Sequence, residues 1–154
     1  NNPLVNSISS QTSKLNGENV MHVFPIRVYY EDTDAGGVVF YANYLKFMER
    51  ARTEWLRTKG VSQALLVTHE RIMFIVAKLD MQYIAPAKLD QLLTVETYIT
   101  FFGRASLHFK QSVFHKKELL AQGTIKVGCV NADTLRVQVL PQSLVERIKL
   151  TTQE

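Results

Sequence analysis

Glu31-Asp32-Thr33-Asp34-Ala35-Gly36-Gly37-Val38-Val39-Phe40-Tyr41-Ala42-Asn43-Tyr44 joins an apolar strand pattern to the most regular helical pattern in the chain. Before it, Phe24, Ile26, Val28 and Tyr30 alternate with Pro25, Arg27 and Tyr29, the period-two signature of a strand over residues 24–30. Pro25 near the start suits a strand entrance or edge, where no ladder N–H is missed. The two aspartates and two glycines then break the strand. After them, Tyr44, Phe47, Met48, Ala51, Trp55 and Leu56 recur at spacings of three and four, so a helix over Tyr44 to Lys59 carries one apolar stripe. Lys46, Glu49, Arg50, Arg52, Glu54 and Arg57 fill the rest, read as a solvated or subunit-contacting face with Arg50 and Glu54 four apart. Gly60 ends the helix.

A weaker helical or irregular piece covers Ser62 to about Glu70. Four strand patterns follow at Ile72–Tyr83, Leu92–Phe102, Ala105–His115 and Leu119–Asn131, separated by Ala85-Pro86, Gly103-Arg104 and Lys116-Lys117-Glu118. The short breaks between the last three make them antiparallel neighbours. On the last strand, Leu119, Ala121, Gly123, Ile125, Val127 and Cys129 share one face. Pro141 opens a short C-terminal amphipathic helix with Leu144, Val145 and Ile148. Strand, long helix and four more strands make an α+β layer, the antiparallel sheet curling around the one long helix.

The totals bound the function. A chain of 154 residues has room for one core, and 46% hydrophobic with 21% charged residues is ordinary globular composition. No apolar run approaches the roughly 20 residues of a membrane span. Residues 1–20 are polar, lack a secretory signal pattern and precede Met21, so they are expected to be an extension or remnant outside a single domain over residues 21–150. The lone cysteine, Cys129, forms no internal disulfide, fits a reducing compartment and lies in a core-like run. His22, His69, His108 and His115 make no ligand spacing, so no metal is expected. A net charge of +4, spread along the chain, suits an anionic ligand but not nucleic acid.

Chemistry concentrates on Asp34. Gly36 and Gly37 let the chain reverse tightly and approach a ligand. The helix beginning near Tyr41 offers unpaired N–H groups and the positive end of its dipole. A carbonyl oxygen resting there is polarised, and Asp34 nearby can activate water or attack the carbon. The plainer reading makes Asp32 and Asp34 loop residues that cap a turn or pair with Arg27 or Arg50, Asn43 a helix cap, and Tyr41 and Tyr44 packing aromatics. A phosphatase of the haloacid-dehalogenase type, with Asp32 as nucleophile, is disfavoured by Gly36 and by the antiparallel tail.

The stretch Val28 to Val39, then Tyr44 and Glu49-Arg50-Ala51-Arg52-Thr53-Glu54, resembles the Tol–Pal-associated acyl-CoA thioesterases of the YbgC type, in the 4-hydroxybenzoyl-CoA thioesterase branch of the hot-dog superfamily. The likeness continues through Tyr83 to Asp90 and Val127 to Val130, covering roughly residues 24–148. Many members carry Tyr-His where this chain has Phe40-Tyr41. The resemblance implies a hot-dog fold with five antiparallel strands, and a homodimer joined sheet edge to edge and paired again as a tetramer. It implies acyl-CoA hydrolysis to a free acid and coenzyme A, with CoA as part of the substrate and no separate cofactor. Asp34 would be the catalytic carboxylate, the Tyr41 backbone N–H would hold the thioester oxygen, and Gly36, Gly37, Phe74 and Val76 would bind substrate. Arg104, Lys110, Lys116 and Lys117 are candidate CoA phosphate contacts, the plainer reading of each being solvated surface. A cytoplasmic protein of a Gram-negative bacterium follows from the same likeness, with acyl carrier protein and phospholipid-synthesis enzymes as partners. The alternative is a non-catalytic acyl-chain-binding or scaffold protein of the same fold.

Overall fold

The apolar stripe of the long helix meets the concave face of one antiparallel sheet. The computed structural model describes residues 21–150, together with the backbone of residues 15–16 and 19–20, where Leu15–Asn16 pairs with Asn19–Val20. The expectation for residues 1–20 otherwise lies outside the described residues. The main strands are β1 (His22–Arg27), β2 (Ile72–Tyr83), β3 (Leu92–Phe102), β4 (Ser106–His115) and β5 (Glu118–Asn131). They form a five-stranded sheet in the order β1-β3-β4-β5-β2. Every neighbour is antiparallel, with pairs such as Ile26↔Leu93, Val95↔Val113, Phe109↔Ile125 and Val76↔Val127. The long helix is α1 (Asn43–Thr58), and the C-terminal helix, α2 (Gln142–Lys149), follows Pro141 as expected. Between α1 and β2, one helical turn at Gln63–Leu65 widens over Leu66–Glu70. This is the α+β hot-dog arrangement.

Burial follows the two periodicities. On α1, Tyr44, Phe47, Met48, Ala51, Trp55 and Leu56 are buried. Facing them, Leu93, Val95 and Ile99 of β3, Leu107, Phe109 and Val113 of β4, and Ile125, Val127 and Cys129 of β5 alternate with more exposed residues. Each large side chain so buried stabilises the fold by roughly 1.5–3 kcal/mol relative to exposure. Trp55 meets Phe109 edge to face, with ring centroids 5.8 Å apart. Burial also raises the Cys129 thiol pKa, as a core cysteine requires.

Three expectations change. The first strand ends at Arg27, and Tyr29 and Tyr30 turn out to solvent. On β5 the buried face slips at Leu120: Val113 pairs with Ala121 and Phe114 with Leu119, so Leu120 bulges and is buried while Leu119 is half-buried. Arg52, expected on the solvated face, is buried. Its Nη1 donates to Gln111 Oε1 at 2.9 Å, and Gln111 Nε2 donates to Met48 O at 2.9 Å and to Thr97 Oγ1 at 2.8 Å. A polar seam therefore crosses the helix–sheet interface with the Gln111 amide satisfied at both ends.

His22, at the start of β1, is buried, and its Nδ1 has no partner among the described residues. Burial, assisted by nearby Lys59, depresses its pKa to about 4. The unfolded chain takes up this proton near pH 6.5, so the stability contribution is complete above that pH and is lost as pH falls toward 4. The loss amounts to about 3 kcal/mol. His22→Phe is expected to flatten this part of the stability profile, read from urea midpoints at pH 7.5 and 4.5. An unchanged difference between the two midpoints would contradict it.

Candidate active site

Beyond Arg27 the ladder continues for one residue. Val28 N donates to Gln91 O at 2.9 Å, and Val28 O accepts from Asp90 N at 3.0 Å. The chain then folds through a short turn at Tyr30–Asp32. Asp32 is buried, and its Oδ2 accepts the Tyr29 N–H at 2.8 Å. Its carbonyl accepts from Phe40 N at 3.2 Å and from Asn43 Nδ2 at 2.8 Å. Asp32 thus clamps both ends of the loop, the structural role of the plainer reading. Asn43 is the first residue of α1; its side chain ties back to Asp32 and does not cap the helix, because Ala42 occupies the cap position.

Inside this clamp, Thr33 bridges Val39, Asp34 N donates to Val38 O at 2.9 Å, and Gly37 N donates to Asp34 O at 3.0 Å. Asp34-Ala35-Gly36-Gly37 is therefore a tight turn. Gly37 has φ +80°, which a side chain resists. A Cβ at Gly36 would lie 3.3 Å from Asp34 Oδ1, so glycine there leaves room for the carboxylate. Asp34 Oδ1 accepts the Gly36 N–H at 2.9 Å, while Oδ2 has no partner among the described residues. Asp34 is exposed, and neither Arg27 nor Arg50 pairs with it; Arg27 Nη1 donates instead to Asp90 O at 2.7 Å.

The turn is held against the sheet through residues 84–89. Leu120 O, at the β5 bulge, accepts from Ile84 N at 2.8 Å and from Ala85 N at 3.1 Å. Ala87 O then accepts from Val39 N at 2.8 Å, and Leu89 N donates to Gly37 O at 3.2 Å. Ala87 N donates to the buried Tyr44 hydroxyl at 3.0 Å. Burial raises the Tyr44 pKa, partly opposed by that N–H, so the phenol stays neutral. At the helix start, the amides of Tyr41 and Ala42 have no acceptor among the described residues, whereas Asn43 N reaches Phe40 O at 2.8 Å. Tyr83, at the end of β2, packs edge-on against Tyr41 and Tyr44, with centroids 5.9 and 5.5 Å away. Because Phe40 N is bonded to Asp32 O, the Asp34 turn and the Tyr41 amide are anchored to one closure.

Phe74 and Val76 lie elsewhere. They line a cavity of about 170 Å³ between α1 and strands β2, β4 and β5, shared with Glu49, Arg52 and Phe109. Asp34, Gly36, Gly37 and Tyr41 do not line it. The candidate phosphate contacts do not converge. Arg104 precedes β4 while Lys116 and Lys117 follow it, so the length of β4, roughly 33 Å, separates them. Among the described residues no three His, Cys, Asp or Glu side chains gather as a metal site, and no helix is long and apolar enough to cross a membrane.

One long helix wrapped by a five-stranded antiparallel sheet is the arrangement of a hot-dog domain. The thioesterase superfamily profile matches residues 36–122, and the chain belongs to that family. It is 44% identical over 121 residues to the acyl-CoA thioesterase YbgC of Haemophilus influenzae, covering 79% of this chain and 89% of that one. It is 45% identical over 127 residues to the acyl-CoA thioester hydrolase YbgC of Escherichia coli, covering 82% of this chain and 94% of the relative. Among solved structures, a probable thioesterase from Bartonella henselae superposes with a TM-score of 0.76 at 34% identity, covering 79% of this chain and 99% of that one.

Tyr44→Phe removes the acceptor of the Ala87 N–H and leaves a buried donor unpaired. It is expected to cost about 1–3 kcal/mol of stability, measured by urea unfolding. Stability equal to the parent would show that this bond does not hold the turn to the sheet.

Proposed function

We propose that the protein hydrolyses acyl-CoA thioesters, with Asp34 as the reacting carboxylate and the Tyr41 backbone N–H polarising the thioester carbonyl. The observation that carries this reading is that one loop, anchored through Asp32, holds an Asp34 Oδ2 and a Tyr41 amide that both lack a partner among the described residues. The carbonyl oxygen takes the Tyr41 N–H and becomes more negative as attack proceeds. A donor in that position is typically worth about 3 kcal/mol of barrier. Asp34 Oδ2 removes a proton from attacking water and passes it to the leaving sulfur, or attacks the carbon itself to form an anhydride that a water then hydrolyses, the water supplying the protons of acid and thiol. Both routes end with the C–S bond broken, the acyl group as a carboxylic acid and the sulfur as the CoA thiol.

The same proposal extends to assembly. β2 pairs on one side only, with β5, and its other edge is free within the described sheet. It exposes Ile75, Val76, Leu79 and Tyr83, an apolar edge that a lone domain would leave open to aggregation. A second copy pairing there extends the sheet as a homodimer, and back-to-back association of dimers makes the tetramer. Likeness to YbgC supports a cytoplasmic location beside the Tol–Pal system and a meeting with acyl carrier protein. Capture of acyl carrier protein by the purified chain is expected, and its absence would remove that partner.

Thiol release from short, long and aromatic acyl-CoAs is expected without added metal. Asp34→Asn is expected to lose at least about a hundredfold in kcat while remaining folded. Tyr41→Phe should stay within about threefold of the parent, because the contact is through the backbone. A folded Asp34→Asn variant as active as the parent would refute the assignment. Binding of every ester with turnover of none would favour the non-catalytic acyl-binding protein.

A further inference from the structure

The cavity lined by Phe74, Val76 and Phe109 is apolar on the sheet side but has a guanidinium in its wall. Arg52 is only 9% exposed. Of its five N–H donors, one reaches Gln111 Oε1; those on Nε and Nη2 have no acceptor among the described residues and, unlike His22 Nδ1, are not sealed from water. Gln111 is itself locked by Met48 O and Thr97 Oγ1, so the bonded end of Arg52 is held in place by the core. An alkyl chain filling the cavity strips water from those donors without replacing it, whereas an oxygen on the chain accepts from them.

Glu49 lines the same cavity but does not consume those donors. Its Oε2 accepts from Thr53 Oγ1 at 2.6 Å, and that hydroxyl oxygen accepts from Gln63 Nε2 at 2.9 Å. The relay holds the carboxylate along the helix, and no ion pair within 4.0 Å joins it to Arg52. The opposite charges still balance each other, which penalises an acyl group ending in a carboxylate or an ammonium. A neutral oxygen meets no such penalty. The volume of about 170 Å³ holds roughly five groups the size of a water molecule, enough for the end of an acyl chain.

We propose that Arg52 is a specificity-determining residue that selects acyl groups carrying a neutral hydroxyl or oxo oxygen at their distal end over plain alkyl groups of equal length. The proposal rests on the thioesterase reading and adds the substrate class. Arg52 follows Tyr41 by eleven residues, roughly 16 Å along the chain of α1, so it acts on recognition and not on the reacting carbonyl. Its loss therefore changes KM and leaves kcat in place.

The test uses matched CoA esters: butanoyl with 4-hydroxybutanoyl, octanoyl with 8-hydroxyoctanoyl, and dodecanoyl with 12-hydroxydodecanoyl. Binding is read in the Asp34→Asn protein from the fluorescence of Trp55, the sole tryptophan, whose ring lies against Phe109. For the length that reaches Arg52, the hydroxylated ester is expected to bind about tenfold tighter than its partner. Adding Arg52→Met should erase the difference without weakening the plain ester. In the active enzyme, Arg52→Met should raise KM for the hydroxylated ester alone. Equal binding of both members at every length, or equal weakening of both by Arg52→Met, would overturn the proposal. Should Arg52→Met not fold, Gln63→Phe narrows the cavity from a half-buried position away from the β2 edge and adds no second tryptophan. It is expected to abolish the preference, and a preference that survives it would also overturn the proposal. Failure of the thioesterase reading shows separately, as absence of thiol release from every ester while binding remains measurable.

Discussion

One amphipathic helix has to bury its apolar face, and one antiparallel sheet is available to cover it. That constraint organises the protein. Phe47, Met48, Trp55 and Leu56 are shielded only if β3, β4 and β5 curl around α1. The helix must then begin at the end of the sheet where β1 delivers the chain, through a loop too short to wander. The loop's polar groups cannot all face water, so they bond to one another, and the buried Asp32 is their common anchor.

The proposed site is a by-product of satisfying that loop. A helix start leaves N–H groups unpaired, and the side chains that could have capped this one are otherwise engaged: Asn43 is spent on Asp32, and Ala42 has nothing to offer. The Tyr41 amide is therefore left without an acceptor among the described residues. Asp34, in the turn, uses one oxygen to hold Gly36, and its other oxygen has no partner among the described residues. A distant irregularity supports both. The Leu120 bulge accepts from Ile84 and Ala85, which places Ala87 against Val39 and the Tyr44 hydroxyl.

Much of this could be read from residue order. The strand patterns from Ile72 onward fall within a residue of the observed strands, because alternation and breaks such as Lys116-Lys117 signal a hairpin locally. Gly36 and Gly37 announced a turn for the same reason. What escaped depends on contacts distant in sequence. Nothing near Arg52 distinguishes it from Arg50 or Arg57; only Gln111, on another strand, draws it inward. The roles of Asp32 and Asp34 also separate only in three dimensions, where one is buried among amides and the other stands in the open. The Leu120 slip is invisible to a strict period of two. Phe74 and Val76 follow from family likeness alone. They do share a cavity, but its polar wall comes from a helix face read as solvated.

The most direct test of the account is an amide NMR titration of 15N-labelled protein with an acyl-CoA ketone analogue that retains the carbonyl but lacks the cleavable C–S bond. The account predicts a large downfield shift of the Tyr41 amide, with smaller changes at Gly36 and Gly37. A bound analogue that leaves the Tyr41 amide unmoved while shifting residues elsewhere would contradict it.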